Sequence, residues 1–251
     1  MSRGVRLGVF GTGLLGFLAL LVWGLAGLPS FGDFDGHYGQ LLAHLSVPAR
    51  HTNSAVAATT FDFRGFDTLG ESFILFTAAV GVLTLLRVQR AEEDVAAEPA
   101  HSGRPTAESR SLRSLAIGLS GPFLVLGVYV VTHGHLSPGG GFQGGVVMMS
   151  GFLLVYLAGA HLRPRPGRPL EAIERAEASG AAGFVAIGIG GLILSGAFLA
   201  NFLPFGTAGD LVSGGDIPLL NIAVALEVMG ALLAILGELL DQKLLAAPEE
   251  G

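Results

Sequence analysis

One stretch near the N-terminus constrains the fold more than any other, because residues 7 to 32 contain no lysine, arginine, aspartate or glutamate. A helix needs about 20 consecutive apolar residues to cross the hydrocarbon core of a bilayer. The stretch also holds Gly11, Gly13 and Gly16, in the G-x-G-x-x-G spacing of a dinucleotide-binding turn. A helix packed on a soluble sheet would show a polar outer face, which this stretch lacks. We therefore predict a membrane-spanning helix whose glycines allow close helix packing, and no nucleotide site.

The same length criterion finds five further apolar segments. Apolar residues make up 51% of the 251-residue chain and charged residues only 14%, whereas soluble domains carry about 25% charged residues. The sequence therefore predicts an all-α integral membrane protein with six transmembrane helices. The five further spans are predicted at 67–88, 112–133, 140–161, 179–203 and 217–239.

Basic residues predict the orientation of these spans. Under strict alternation, all but two of the 14 lysines and arginines fall on one side of the membrane, and the two exceptions are Arg50 and Arg64. Cytoplasmic loops are enriched in lysine and arginine. Both termini are therefore predicted to be cytoplasmic.

Polar segments divide the predicted helices into modules. Residues 91 to 111 are charged and rich in alanine, glutamate, serine and proline, a composition that cannot bury enough apolar surface to order itself. We interpret this segment as a cytoplasmic linker between a two-helix module, residues 1–90, and a four-helix module, residues 112–251. Residues 163 to 178 are basic and then acidic, which predicts a short interfacial helix beginning near Pro169.

Ionisable residues inside apolar spans are the first candidates for function, because they are costly there unless paired. Arg64, Asp67 and Glu71 follow one another at i, i+3 and i+7 in FDFRGFDTLGES, so a continuous helix would place them on one face. Two carboxylates beside one guanidinium could hold an additional proton or cation. In the alternative, Asp67 caps the helix and Arg64 lies outside it.

Glu227 lies near the middle of the last predicted span, about 15 Å from either end. Glu238 returns to nearly the same face three turns later, with Asp241 close to it, so the three would form an acidic stripe toward the cytoplasm. We favour proton or cation handling at Glu227. A protonated structural carboxyl is the alternative, and Glu238 and Asp241 could be solvated residues at the end of the helix.

The loop HGHLSPGGGFQGG predicts a break between two helices, because Pro138 interrupts the third span and the glycines permit unusual backbone angles. His133 and His135 are only two residues apart and have no third ligand nearby in sequence, so no metal site is predicted. His133 remains a secondary candidate for the ion path. The chain has no cysteine, which excludes disulfides and iron–sulfur clusters. Its net charge of −6 gives no reason to expect nucleic-acid binding.

The pattern SPGGGFQGG, followed by an apolar helix, resembles the B-type (MnhB or MrpB) subunits of the multisubunit cation/proton antiporters. This resemblance covers about residues 112 to 241 and marks a packing motif of Ser137, Pro138, Gly139, Gly140, Gly141, Gly144 and Gly145. Separately, DFRGFDTLGE at 62–71 resembles the C-terminal end of the large A-type antiporter subunits, which is similar to the MbhE subunit of membrane-bound hydrogenases. By this second resemblance, Asp62 joins Arg64, Asp67 and Glu71 as a candidate.

The resemblance implies a function as well as a fold. It implies an accessory subunit of a complex in which proton entry drives sodium efflux, with Na⁺ and H⁺ as the transported ions and no bound cofactor or metal. Expected partners are subunits of the A, C, D, E, F and G types, in the cytoplasmic membrane of a prokaryote. Two alternatives stay open: an accessory subunit of a membrane-bound hydrogenase, and a purely structural helix-packing subunit. The sequence does not decide whether residues 52–63 form an outer helix or enter the membrane.

Overall fold

The computed structural model of the chain describes residues 3–28, 36–86, 110–157 and 169–245. The chain forms two compact units, residues 1–39 and residues 40–251. Within the described ranges all the secondary-structure elements are helices and no strand occurs, which confirms the predicted all-α class.

Eight α-helices and one π-helical turn make up the described part of the chain. Residues 52–63, whose conformation the sequence left open, form the short helix α3 and the π-helical turn after a brief non-helical entry. The elements are α1 (Arg3–Ala26), α2 (His37–Arg50), α3 (Ala55–Ala58), the π turn (Thr59–Phe63), α4 (Gly65–Leu86), α5 (Arg110–Thr132), α6 (Gly141–Leu157), α7 (Pro169–Ser195) and α8 (Ile217–Leu245).

Five of these helices are long and apolar enough to cross a membrane, so the chain is a multi-pass membrane protein. Their apolar stretches are Leu7–Ala26, Gly65–Leu86, Arg113–Thr132, Arg175–Ser195 and Ile217–Leu239. The fourth predicted span, 140–161, corresponds to α6, whose described apolar stretch, Gly141–Val155, is shorter. Residues 158–168 lie outside the described ranges. The count of six and the orientation of the termini therefore stay predictions.

The fifth predicted span, 179–203, was misplaced. Helix α7 begins at Pro169 and continues without a break to Ser195, so residues 169–178 belong to it and do not form a separate interfacial helix. Proline fits the first turn of a helix, where its missing N–H is not needed. The helix stops at Gly196, which has a φ of 81°, the left-handed conformation that commonly ends helices. The apolar residues that follow do not extend the helix.

Helix α8 lies at the centre of the larger unit. It contacts α4, α5, α6 and α7, and 56% of its most apolar stretch is buried. Its buried side chains pack with residues of α3, the π turn and α7 in one cluster: Ala57, Phe61, Phe184, Ile217, Leu220, Ala223, Val224 and Val228. Because α8 contacts helices of both predicted modules, its residues are placed to join them.

Glycines allow the close contact between α6 and α8. A Cβ on Gly141 would lie 2.5 Å from the carbonyl oxygen of Asn221, and one on Gly145 would lie 2.9 Å from that of Ala225. Both distances are shorter than van der Waals contact. The small side of α6 therefore lies directly on the backbone of α8, as in other tightly packed membrane helices.

Candidate functional site

Glu227 is completely buried near the middle of α8, with a relative exposure of 0%. Ten residues separate it from the start of the helix at Ile217, which corresponds to about 15 Å. The Ser72 hydroxyl of α4 lies close to its carboxyl. Neither carboxyl oxygen of Glu227, nor the Ser72 hydroxyl, forms a well-aligned hydrogen bond within the described part of the chain. A buried acid of this kind is costly to keep for packing alone.

A second buried acid, Glu177 of α7, was missed by the sequence analysis. It is 4% exposed, and its backbone lies against Gly230 of α8. The polar composition of residues 163–178 predicts a segment at the membrane surface, which excludes Glu177 from the acids expected inside the membrane. The sequence does contain a sign that Glu177 belongs to the long helix, because no helix-breaking residue lies between Pro169 and the apolar part of α7.

The structure brings only part of the predicted Arg64, Asp67 and Glu71 triad together. Arg64 follows the π turn with φ −133° and ψ 33°, so it lies outside α4, which begins at Gly65. Its Nε nevertheless donates to Asp67 Oδ2 at 2.5 Å, and both side chains are exposed. Asp67 is in the first turn of α4 rather than at the cap position. Glu71 is exposed one turn later. Because Arg64 lies outside α4, the three residues do not share one continuous helical face.

Asp62 belongs to a polar network that the sequence did not predict. Its carboxylate pairs with Arg50 of α2 and accepts a 3.0 Å hydrogen bond from the Asn201 side-chain amide. Asn201 Oδ1 in turn accepts from the backbone N–H of Asp216 at 3.0 Å. The Asp216 carboxylate accepts from the backbone N–H groups of Phe202 and Leu203, at 3.0 and 3.2 Å. The network thus ties the π turn to the segment between α7 and α8.

Burial raises the pKa of Asp216, an effect that its two backbone donors oppose and the nearby Asp62 charge reinforces. The Arg50 guanidinium also lies over the rings of Phe63 and Phe205, 5.2 and 5.7 Å from their centroids. Contacts of this type stabilise a partly buried cation.

An open pocket of about 520 Å³ lies beside this network. Arg50, Asp62 and Asn201 contribute its polar wall, and Arg64 also borders it. Since Arg50 is paired with Asp62 and Arg64 with Asp67, the charges at the pocket are largely balanced. The pocket lies near the start of α4, and Glu227 is not among the residues that line it.

The two histidines of the loop between α5 and α6 have different surroundings. His133 stacks on Tyr129, with 4.1 Å between ring centroids. His135 is fully buried, and its carbonyl accepts hydrogen bonds from the Thr52 hydroxyl and the Ser54 backbone N–H. Burial lowers the pKa of His135, and the nearby His133 lowers it further. The backbone carbonyls of Asp210 and Leu211 act in the opposite direction and raise this pKa in part. Burial therefore favours the neutral form of the His135 ring.

No group of three histidine, cysteine or acidic side chains suited to a metal ion occurs among the described residues.

The SPGGGFQGG motif is fixed to α8 by Asn221, a fully buried residue. Its Oδ1 accepts from the backbone N–H of Gly141 at 2.7 Å, and its amide donates to the carbonyl of Ile217 at 3.1 Å. Gly139 and Gly140 have φ values of 153° and 143°, which side chains disfavour. The rest of the motif packs locally: Ser137 donates to the His133 carbonyl, Pro138 is exposed, and Gly144 faces Val131 of α5.

The lower part of the predicted acidic stripe is less enclosed. Glu238 is half-buried in α8, eleven residues after Glu227. Asp241 lies on the same helix, but its side chain is outside the described part of the structure. Of the three acids in the predicted stripe, the structure therefore describes the side chains of Glu227 and Glu238.

Two family models match this chain in succession. A model described as a domain related to the MnhB subunit of Na⁺/H⁺ antiporters matches residues 112–234. A model named MbhE, the E subunit of MBH, matches residues 33–102. Asp62 and Ser72 lie in the MbhE match, whereas Asn201, Asp216 and Glu227 lie in the MnhB-related match. The polar network and the contact at Glu227 therefore both join the two domains.

Among known proteins, an uncharacterized protein of Methanocaldococcus jannaschii is 30% identical over 208 residues, which is 76% of each chain. A probable A/B-type subunit of a K⁺/H⁺ antiporter from Rhizobium meliloti is 35% identical over 114 residues, covering 39% of this chain and 11% of that protein.

Two solved complexes contain chains of similar fold. A chain of the membrane-bound sulfane sulfur reductase, an archaeal respiratory membrane complex, matches with a TM-score of 0.70 and 29% identity over 95% of this chain and 99% of its own. A chain of the Mrp complex from a Dietzia species matches in fold, with a TM-score of 0.63 and 23% identity over 95% of this chain and 26% of its own. The chain belongs to the MnhB-related family of membrane-complex subunits and carries an MbhE domain ahead of its MnhB-related domain.

Proposed function

We propose that this chain is an accessory subunit of a multisubunit, proton-driven Na⁺/H⁺ antiporter in a prokaryotic cytoplasmic membrane. It supports assembly with subunits of the A, C, D, E, F and G types and contributes acids to the ion path. The MnhB-related domain and the Mrp-like fold support this assignment. The observation that carries the ionic role is Glu227, an acid with no exposed surface in the middle of an apolar helix.

Glu227 suits proton exchange better than packing. An ionised carboxylate buried in a medium of low polarity costs several kcal/mol unless it is paired, and no lysine or arginine is among the buried residues that the structure describes. The neutral acid avoids that cost, and it can release its proton when a charge or water approaches. Such coupling between ionisation and surroundings is what a proton-driven transporter requires.

Glu71 extends the path to the surface of α4. It is exposed on an apolar helix that otherwise meets the length of a membrane span. A charged acid facing lipid costs up to about 3 kcal/mol in insertion measurements, so a neighbouring protein of the complex or an aqueous channel must cover it. We place the Glu71 side of α4 at a boundary between subunits of the complex, with residues 91–111 linking the two modules on the cytoplasmic side.

Substitution of each acid by glutamine tests this assignment. In everted vesicles, Glu71→Gln and Glu227→Gln should each reduce Na⁺-driven proton exchange at least tenfold per assembled complex. Asp210→Asn, at an exposed acid in the segment between α7 and α8, serves as the control and should reduce it less than twofold. Assembly is measured separately by co-purification with a tag on this chain. Unchanged exchange in both Glu71→Gln and Glu227→Gln would remove the ionic role and leave a structural subunit.

The whole-chain likeness to a subunit of an archaeal respiratory complex favours a second candidate function. In that case the chain would be an accessory membrane subunit of a complex-I-like reductase or hydrogenase. Co-purified neighbours separate the two: antiporter-type subunits alone support the first assignment, and redox-cofactor subunits support the second. The genes beside this one give the same discrimination without purification.

A further inference from the structure

One face of α4 is buried and carries only small side chains. The helix contacts the π turn, α7 and α8, and its buried residues are Gly65, Thr68, Ser72 and Ala79. Successive members of this set are three, four and seven residues apart, spacings that place side chains on one face of a helix. Thr68 and Ser72 are therefore the hydroxyl-bearing residues of the face that α4 turns toward the rest of the chain.

The Ser72 hydroxyl differs from the other hydroxyls of this helix. Serine and threonine in helices commonly donate to a backbone carbonyl one turn earlier, and Thr77 and Thr84 each do so at 2.7 Å. Thr68 donates instead to a carbonyl of the π turn. Ser72 is 3% exposed, and its hydroxyl has no hydrogen-bond partner within the described part of the chain. It is therefore available to the carboxyl of Glu227, beside which it lies.

The carboxyl of Glu227 is in the same condition. Glu227 is fully buried, and neither of its carboxyl oxygens has a hydrogen bond within the residues that the structure describes. Buried polar groups in proteins are nearly always hydrogen-bonded. A side-chain rotation that aligned the Ser72 hydroxyl with this carboxyl would satisfy both groups. The contact joins the MbhE domain, which holds Ser72, to the MnhB-related domain, which holds Glu227.

Charged side chains are sparse around this contact. Those that the structure describes on α8 and on the elements packed against it are Asp62, Asp67, Glu71, Arg113, Arg175, Glu177 and Glu238. Most of them are exposed. Asp62 is paired with Arg50, and the Cβ of Glu177 lies against Gly230 of α8. All these groups are the same in wild type and in every variant of Ser72, so a change caused by substituting Ser72 reports on its hydroxyl.

We propose that Ser72 is a positioning residue for Glu227, through which the MbhE domain sets the pH at which the buried acid of the MnhB-related domain releases its proton. When the carboxyl O–H bond breaks, the electron pair stays on the carboxylate, and the Ser72 O–H donates to that carboxylate. Serine keeps its own proton throughout. Hydrogen bonds to ionised groups are about twice as strong as those between neutral groups, so the hydroxyl favours the ionised acid. This inference rests on the proposed function, since it concerns the control of the same acid.

Infrared difference spectroscopy on the purified, lipid-reconstituted complex tests this role without requiring transport. The protonated-carboxyl band that disappears in Glu227→Gln belongs to Glu227, and its intensity is followed as the pH is raised. In Ser72→Ala the midpoint of this titration should rise by about one pH unit, because the ionised acid loses its donor. The pH dependence of antiport in vesicles should shift upward by a similar amount.

Two further variants separate the hydroxyl from packing. Ser72→Thr keeps a hydroxyl and should return the midpoint most of the way to the wild-type value. Thr77→Val is the control on the same helix, because the Thr77 side chain is exposed and its hydroxyl bonds its own helix. This substitution should leave the midpoint unchanged.

The role of Ser72 would be overturned by an equal midpoint in wild type and Ser72→Ala, or by a lower midpoint in Ser72→Ala. An equal rise in Thr77→Val would overturn it as well. If Ser72→Ala prevents assembly, Ser72→Cys takes its place, because a thiol is similar in size and a weaker donor. Its midpoint should also rise, and an unchanged midpoint would overturn the role.

Transport and spectroscopy can fail independently. A raised midpoint in Ser72→Ala with normal antiport in Glu227→Gln would preserve the control of ionisation by Ser72 and remove Glu227 from the proposed ion path. Loss of antiport in Glu227→Gln with no change of midpoint in Ser72→Ala would preserve the proposed function and overturn this inference.

Discussion

Replacement of Gly180 by alanine should separate α7 from α8 at the level of the buried acids. The new Cβ would lie 2.5 Å from the Ala223 carbonyl oxygen and 2.5 Å from the Glu227 nitrogen. Both neighbours are backbone atoms, which cannot rotate away as a side chain can. Since favourable contacts lie at about 3.5 Å, α7 must move by about 1 Å. Overpacking of this kind costs about 1–3 kcal/mol.

Gly183→Ala is the matched control on the same helix, because its Cβ would lie an ordinary 3.7 Å from Ala223 Cβ. Alanine favours a helix over glycine by about 1 kcal/mol, and this gain is common to both variants. The difference between Gly180→Ala and Gly183→Ala therefore isolates the packing cost, at about 1–3 kcal/mol. Thermal unfolding of the purified complex should then give Gly180→Ala a Tm lower than that of Gly183→Ala by several degrees. Equal Tm values for the two variants would refute the close contact between α7 and α8.

Two further predictions concern the polar groups outside the spans. Asn201→Leu removes the bridge between Asp62 and Asp216 and should destabilise the protein by about 1–3 kcal/mol. Asn53→Leu, at an exposed position, is the control and should change the Tm of the protein little. Equal effects of the two substitutions on Tm would contradict a bridging role for Asn201. Burial holds the pKa of His135 below its ordinary value of 6.5. The neutral ring therefore stabilises the folded protein fully above pH 6.5, and this stabilisation is lost as the pH falls through the pKa of the folded state. Wild type should therefore lose Tm on acidification below pH 6.5 more steeply than His135→Gln, and parallel curves would contradict this.

Local sequence signals predicted the helices well where polar or helix-breaking residues mark their ends. The span predicted at 217–239 begins at the first residue of α8, directly after the buried Asp216. The span predicted at 67–88 is displaced by only two residues from α4. The error at α7 arose because hydropathy does not register a left-handed glycine such as Gly196. Glu177 was missed at the other end of the same helix, where the polar residues after Pro169 predicted a separate segment at the membrane surface.

Long-range contacts could not be predicted from one sequence. Asp62 and Asn201 are 139 residues apart, and no spacing rule connects them. Glu227 was recognised from its position alone, but its neighbour Ser72 was not, because a serine in an apolar helix is unremarkable until another helix places an acid beside it. The π turn before α4 also could not be foreseen, and it is what moves Arg64 out of the helix.

Helix α4 of the MbhE domain packs on α8 of the MnhB-related domain and encloses Glu227. The absence of native cysteine allows a direct measurement, with a protease site introduced into the linker 91–111 and cysteine pairs introduced on the two helices. After oxidation and cleavage, the two halves should remain joined on a non-reducing gel for Ser72→Cys with Glu227→Cys. They should separate for Glu71→Cys with Glu227→Cys, because Glu71 is exposed. Separation of the halves with the first pair, or equal joining with both, would contradict the account.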